Sequence, residues 1–410
     1  MSKIDHRVKV AIVKCDSYKR EKVQEAVAEA VKLLGGIELL GVPKDREVLL
    51  KPNLLAKADP EKAVTTHPEV FGAVAKILQD NGYTNVKYGD SPGNPLISLE
   101  KLTEGCGYTD VAKEYGVELG DFEHGREVDF PDGRVAKKFV LCEEVAKVCL
   151  DEETEGCIIN ICKMKTHQLE RITGAMKNTF GCVYGVNKSA SHAKYPNAEV
   201  FAKMTADLNQ IVTPRLHIMD GIVAMEGNGP ASGDPVKMNV IMASTDPVAL
   251  DTAFCNLIGL DQKLVATNIA GVEAGVGTIN EDIIDVYVSG LPMVPDGSLT
   301  NLDNMYELIG NRDFAVERGK DFKGHFKGFK LLFQLLDKKP VVLRDKCLGC
   351  GICVEACPVE EKAIFVIDKK ATYEYSRCIK CYCCQEMCPE KAIVVKRSLI
   401  ARMADRVWKI

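Results

Sequence analysis

Two short cysteine runs near the C-terminus constrain this chain more than any other feature. The first, CLGCGICVEACP, places Cys347, Cys350, Cys353 and Cys357 ahead of Pro358. The second, CIKCYCCQEMCP, places Cys378, Cys381, Cys384 and Cys388 ahead of Pro389. Both read C-x2-C-x2-C-x3-C-P, and the second begins 31 residues after the first, at Cys378 against Cys347. The segments behind the prolines, KAIFVI and KAIVVK, match as well, so the unit reads as a duplication. Cys383 falls out of register and is expected beside a metal group rather than bound to it. The N-terminal MSKIDHRVKV has no apolar signal-peptide core, so 17 cysteines point to metal binding or catalysis rather than disulfides. A zinc site is the alternative. Three thiolates in one tight loop suit three corners of an iron–sulfur cube better.

Over about residues 340–398 the pattern resembles bacterial-type 2×4Fe–4S ferredoxins. The resemblance implies a small α+β ferredoxin-like C-terminal domain at 341–400 and two 4Fe–4S clusters carrying single electrons at low potential. In that arrangement the fourth cysteine of each run reaches the other cluster. The first cluster would then take Cys347, Cys350, Cys353 and Cys388, and the second Cys357, Cys378, Cys381 and Cys384. A redox partner protein, as electron donor or acceptor, is implied too.

A chain of 410 residues exceeds one ordinary core. Its net charge of −5 and the lack of a long basic run argue against a nucleic-acid surface. No uninterrupted apolar run reaches spanning length, so no transmembrane segment is expected and the cytoplasm is the expected compartment. No Walker, flavin or nicotinamide fingerprint is visible.

Residues 1–320 alternate strand-like segments (VKVAIVKC, EVLLKPN, TNVKYGDSPG, GCIINI, RLHIMDG, KMNVIMAS, DVYVSG) with amphipathic helical ones. This alternation predicts an α/β body with a mostly parallel sheet and helices on both faces. A hairpin insertion is expected at 115–141, and a division into two lobes near residue 215 is one option. Residues 321–340, DFKGHFKGFKLLFQLLDKKP, read as a linker helix, with a membrane-surface helix as the alternative.

Ligands of open α/β sheets bind beyond the carboxyl ends of the strands, and those positions are polar here. Lys51 and Asn53 follow one strand, Asp90 and Ser91 another, and Asp220, Glu226 and Asn228 a third. The segment KMKTHQLERITGAMKNTFGC gathers Lys163, Lys165, His167, Arg171, Lys177, Asn178 and Cys182. A loop is expected to carry Lys165 and His167, and a helix starting near Arg171 to carry Lys177 and Asn178. Converging cations would bind a carboxylate or phosphate, and His167 would move a proton near neutral pH. The plain alternative is a solvated basic face. His67 is either a ligand or a helix-cap neighbour, and GDSPG either a capped turn or a phosphate cradle. Neighbouring lysines would lower the thiol pKa of Cys182, although free cysteines are often simply buried.

The pieces KPNLL, THPEV, GDSPG, KMKTH, GAMKNTFG, MDGIVAMEGNGP and ASTDPVALD resemble the family of the domain of unknown function 362 over about residues 8–290. That resemblance implies the body's fold and motif residues but no settled reaction. The leading expectation is an iron–sulfur oxidoreductase: Lys165, His167, Lys177 and Asn178 would be catalytic. Lys51, Asn53, His67, Asp90, Ser91, Asp220, Glu226 and Asn228 would bind a small anionic substrate or cofactor. The alternatives are an electron-transfer or maturation protein that docks a client enzyme, and an organic-acid isomerase or transferase with structural clusters.

Overall fold

The computed structural model describes residues 7–92, 97–185, 187–292, 294–319 and 338–396. The expected linker helix at 321–340 therefore lies almost wholly outside the described residues.

In chain order the strands of the body are β1 (Val8–Lys14), β2 (Val48–Pro52), β3 (Val86–Tyr88), β4 (Glu118–Leu119), β5 (Gly125–Asp129), β6 (Lys138–Cys142), β7 (Cys157–His167), β8 (Arg171–Thr173), β9 (Leu216–Glu226), β10 (Asp234–Ser244), β11 (Ile284–Ser289) and β12 (Ser298–Thr300). One sheet runs β12-β11-β1-β10-β9-β7-β2-β3-β4, with β8 paired to β7. Its β9-β7-β2-β3-β4 half is wholly parallel. Antiparallel pairings join β10 to β1 and β9, and β12 to β11. The fold is α/β.

Strand alternation divides the core between the two faces of this sheet. On β1, Ala11 and Val13 enter one apolar cluster while Val10 and Ile12 enter the other. Helices Arg20–Leu34, Pro68–Asp80 and Ala198–Val212 cover the first face, and Pro247–Leu257 and Leu302–Ile309 the second. The sequence DPVALD explains one start: Asp246 caps Val248 and Ala249 at 2.8 Å each, with Pro247 in the first turn.

No lobe boundary falls near residue 215, because β9 pairs directly with β7 from the preceding half of the chain. The hairpin is narrower than 115–141, since Glu118–Leu119 belongs to the main sheet and β5 pairs with β6.

The C-terminal segment holds two antiparallel pairs: β13 (Lys339–Val342) with β16 (Ile393–Lys396), and β14 (Ile364–Ile367) with β15 (Lys370–Tyr373). The duplication extends to the backbone. Gly349 and Gly351 have φ of 71° and 87°, and their counterparts Lys380 and Tyr382 have 58° and 64°. A one-turn helix follows each, at Ile352–Glu355 and Cys383–Glu386.

The β5–β6 turn is held to the body by Asp207, which is wholly buried and accepts N–H bonds from Arg134, Val135 and Ala136 at 2.9, 2.8 and 2.8 Å. Asp207→Ala strands three donors and should cost about 3 kcal/mol in a urea titration. Asp207→Asn, which keeps one acceptor oxygen, should lose less. A loss below about 0.5 kcal/mol for the alanine variant would contradict this role.

Candidate functional site

Parallel pairing brings the carboxyl ends of β2, β3, β7 and β9 to one edge of the sheet. There a cavity of about 390 Å³ opens between the body and the C-terminal segment. Asn53, Asp90, Ser91, Lys165, His167, Lys177 and Asn178 line it from the body, and Glu355, Cys383, Glu386 and Met387 from the cysteine-bearing segment. Seven of the sequence-predicted residues are thus brought together.

The local structure differs from the expected loop and helix. β7 continues through Lys163 and Lys165 to His167, every residue buried, and turns back as β8. A strand can carry these cations inward because each finds acceptors or a cavity. Arg171 therefore lies in a hairpin, with φ of 67°, and its guanidinium donates to the carbonyls of Leu264 and Glu317 at 2.8 and 2.9 Å. The helix carrying Lys177 and Asn178 spans only Ala175–Asn178. Buried Asp251 starts it by accepting the N–H groups of Ala175 and Met176 at 2.6 and 3.1 Å.

Lys165 is 1 % exposed and donates to Asn53 Oδ1 at 2.9 Å and to the Val64 carbonyl at 2.7 Å. Burial pushes its pKa down to about 7. From Asn53 a polar chain runs inward. Asn53 donates to Asn178 Oδ1, and Asn178 to Asn160 Oδ1, each at 2.7 Å.

His167 Nδ1 accepts the N–H groups of Leu169 and Glu170 at 3.1 Å each. The ring proton of the neutral imidazole therefore sits on Nε2, which lies 3.1 Å from Glu386 Oε1. Burial depresses the imidazole pKa. Burial alone would raise Glu386, but His167 and Lys177 outweigh it and hold the carboxyl down at about 2.

Lys177 differs from the others. It is 9 % exposed and makes no hydrogen bond or ion pair among the described residues. Its Nζ lies 4.6 Å from the centre of the Phe180 ring and 5.2 Å from that of Phe201. Burial lowers its pKa, while Glu386 and Glu170 support the charge. Such an ammonium is ready to receive an anion.

Lys51 is not on the cavity wall. It lies beneath, wholly buried, 2.9 Å from Asp90 Oδ1. Asp90 also accepts the Leu54 N–H at 2.7 Å, and the Ser91 N–H bonds to the Gly181 carbonyl at 3.0 Å. Among the described residues 89–92 the segment is thus tied down, with the Ser91 N–H occupied rather than free for a phosphate.

Four expected ligand-binding residues lie elsewhere. Asp220 pairs with Lys163 at 2.7 Å and accepts from Tyr18 Oη at 2.8 Å. His67 caps its helix through Nδ1, stacks on Tyr18 at 3.7 Å and is pushed down to about 4 by burial. Glu226 accepts the Ala315 N–H at 2.7 Å. Asn228 faces the C-terminal segment, its carbonyl taking Gln385 Nε2 at 2.9 Å. Asp220 and His67 are buried among their partners, whereas Glu226 and Asn228 are only half-buried and turn to segments distant in sequence. Burial also pushes the Cys182 thiol up to about 12, against the lowering expected from nearby lysines.

Sequence reasoning missed Lys188, His192 and Glu386. Lys188 and His192 stand four apart on the helix Asn187–Lys194, a legible one-face spacing in NKSASHAK. Lys188 donates to the carbonyls of Ser91 and Pro92. His192 stacks on Phe201 at 4.4 Å and burial holds its pKa at about 3. Glu386 lies inside a cysteine run and carried no separate signal.

The cysteines sort into two sets. Cys347, Cys350, Cys353 and Cys388 line one small apolar cavity, and Cys357, Cys378, Cys381 and Cys384 another. The N–H groups of Ala371 and Ala392 reach Cys347 and Cys388 sulfurs at 3.3 Å each, and Tyr373 Oη lies 3.0 Å from Cys384 sulfur. Four thiols per cavity, partly supplied with N–H donors, fit an iron–sulfur cluster.

Comparison with known proteins agrees. A family model described as "Domain of unknown function (DUF362)" matches residues 48–256. A "4Fe-4S dicluster domain" matches residues 339–389, so the C-terminal segment is an iron–sulfur, ferredoxin-type domain. The chain is 32% identical over 268 residues to the thylakoid-associated protein sll1697 of Synechocystis sp., covering 65% of this chain and 79% of that one. Among the described residues no helix is long and apolar enough to cross a membrane.

Gly181 reports on the cavity floor. A Cβ there would stand 1.8 Å from Asp90 Oδ1 and 2.7 Å from Lys51 Nζ. Gly181→Ala should split that buried pair and destabilise the protein by about 3 kcal/mol, seen as a lower melting temperature. An unshifted melt would mean that the pair tolerates separation.

Proposed function

The chain belongs to the family of the domain of unknown function (DUF362), and we propose that it is an iron–sulfur oxidoreductase that reduces a small anionic substrate in this Lys/His cavity. One observation carries the reading. The wall facing Lys177 is built from the cysteine runs themselves, with Cys383, Glu386 and Met387 from one and Glu355 and Ala356 from the other. Glu386 stands two residues from both Cys384 and Cys388, at most about 7 Å along the backbone from each.

We assign Cys347, Cys350, Cys353 and Cys388 to one 4Fe–4S cluster and Cys357, Cys378, Cys381 and Cys384 to a second. Such clusters supply single electrons at low potential. The residues of the cavity do the rest. Lys177 binds the anionic end of the substrate and stabilises negative charge that grows on it. Lys165 titrates near neutrality, so it can give up a proton as the substrate is reduced, while the neutral His167 offers its Nε2–H as a hydrogen bond. Asn53 and Asn178 fix Lys165 through their hydrogen-bonded chain. A redox partner finds apolar surface around the first cysteine set, where Leu348 is 67% and Ile367 54% exposed.

The electron-transfer test is anaerobic. Dithionite-reduced protein is mixed with pools of small organic acids and reoxidation is followed by visible absorbance. An acid that reoxidises the wild type should do so about 100-fold more slowly with Lys177→Ala. Equal rates in the two proteins would end the reading.

The pH dependence of anion binding has a definite sign. Lys165 is an ammonium below about pH 7 and is neutral above it. An organic carboxylate keeps its charge over this range. Its affinity should therefore fall as pH rises through 7, approaching tenfold per unit. Lys165→Met should flatten that profile in calorimetric titrations. A wild-type profile already flat from pH 6 to about pH 8.5 would contradict the assignment.

A further inference from the structure

The donors around the cavity are mostly committed. Lys165 and Lys188 each give two hydrogen bonds to protein acceptors. His167 Nε2 faces Glu386. On the adjacent helix, the Asn187 and Lys188 N–H groups bond to the carbonyls of Tyr184 and Gly185 at 3.1 and 3.2 Å. No arginine lies among the described lining residues. The uncommitted cation is the Lys177 ammonium, buried, with no hydrogen-bonded acceptor and backed by two aromatic rings, whereas the unpartnered Thr173 Oγ1 and His192 Nδ1 on the same wall are neutral.

Phosphate dianions are normally met by arginine forks or arrays of free backbone N–H groups. One ammonium matches one carboxylate. A second negative charge would also meet Glu355 and Glu386 across the cavity. Part of the wall is apolar: Leu55, Phe180, Pro230, Ile352, Ala356 and Met387. A cavity of about 390 Å³ leaves room for a body beyond the carboxylate itself.

We infer that the ligand of this cavity is an amphipathic monocarboxylate, its carboxylate on Lys177 and its hydrocarbon or aromatic body against the apolar wall. The inference rests on the anion-binding reading above and narrows it, setting aside phosphorylated and polyanionic metabolites. Apolar contact gives affinity without direction, whereas Lys177 fixes which end enters. A reducible unsaturated or aromatic acid fits this description.

The experiment is isothermal titration of the anaerobic, cluster-loaded full chain with acetate, hexanoate, hexanamide and inorganic phosphate. Burial of each methylene should raise affinity about fourfold, so hexanoate should exceed acetate on the order of a hundredfold. Hexanamide, which keeps the chain but loses the charge, should bind about tenfold more weakly than hexanoate. Lys177→Met should bring hexanoate down to the level of hexanamide, and Leu55→Asn should shrink the increment per methylene. If Lys177→Met does not fold, the wild-type comparison of acid with amide decides. Phosphate binding as tightly as hexanoate, or acetate matching it, would overturn the monocarboxylate while leaving an anion site. Binding of none of the four would overturn both readings.

Discussion

The contact of His167 with Glu386, at 3.1 Å, ties the iron–sulfur domain to the carboxyl edge of the body's sheet. Around it lie the Gln385 bonds to the carbonyls of Asn228 and Gly229 at 2.9 and 3.4 Å, and the Lys338–Glu317 pair at 3.0 Å. Glu386 and Gln385 belong to the one-turn helix inside the second cysteine run. The backbone that presents thiols on one side therefore presents a carboxylate and an amide to the body on the other. Without that dual use the lysines would line an open sheet edge in water. With it they line a partly closed cavity where each charge acts in a lower dielectric.

Burying several ammonium groups is expensive, and each is compensated differently. Lys51 has Asp90, Lys163 has Asp220, and Lys165 and Lys188 have carbonyl or amide oxygens. Lys177 has aromatic faces and a cavity. That difference separates supporting lysines from a binding one. It also explains why Asp220 and His67 are structural, since Tyr18, Lys163, Asp220 and His67 satisfy one another.

Much of this was legible in the sequence. The cysteine spacing announced the C-terminal domain, and alternating apolar runs announced an α/β body. Polar residues after strands pointed to one sheet edge, and Asn53, Asp90, Ser91, Lys165, His167, Lys177 and Asn178 do meet there. Periodicity could not show that β7 runs through two lysines, because buried cations mimic a loop. Nor could it separate Glu226 and Asn228, which turn toward Ala315 and the C-terminal segment, from residues facing the cavity. Glu386 was hidden because its role depends on which side of the cysteine module docks, a tertiary fact without a local signature. Cys182 misled for a related reason: core burial outweighs nearby positive charge.

The cationic cavity and the cysteine runs share one electrostatic neighbourhood, with Glu386 and Cys383 supporting the charge on Lys177. The most direct measurement is a redox titration of the iron–sulfur signal, followed by electron paramagnetic resonance, with and without saturating hexanoate. A carboxylate held on Lys177 adds negative charge beside the iron–sulfur sites. By reciprocity it should lower their midpoint potential on the order of tens of millivolts, tenfold in affinity being about 59 mV per electron. The shift should vanish in Lys177→Met. Potentials that stay fixed while hexanoate demonstrably binds would show that the cavity and the iron–sulfur sites are uncoupled.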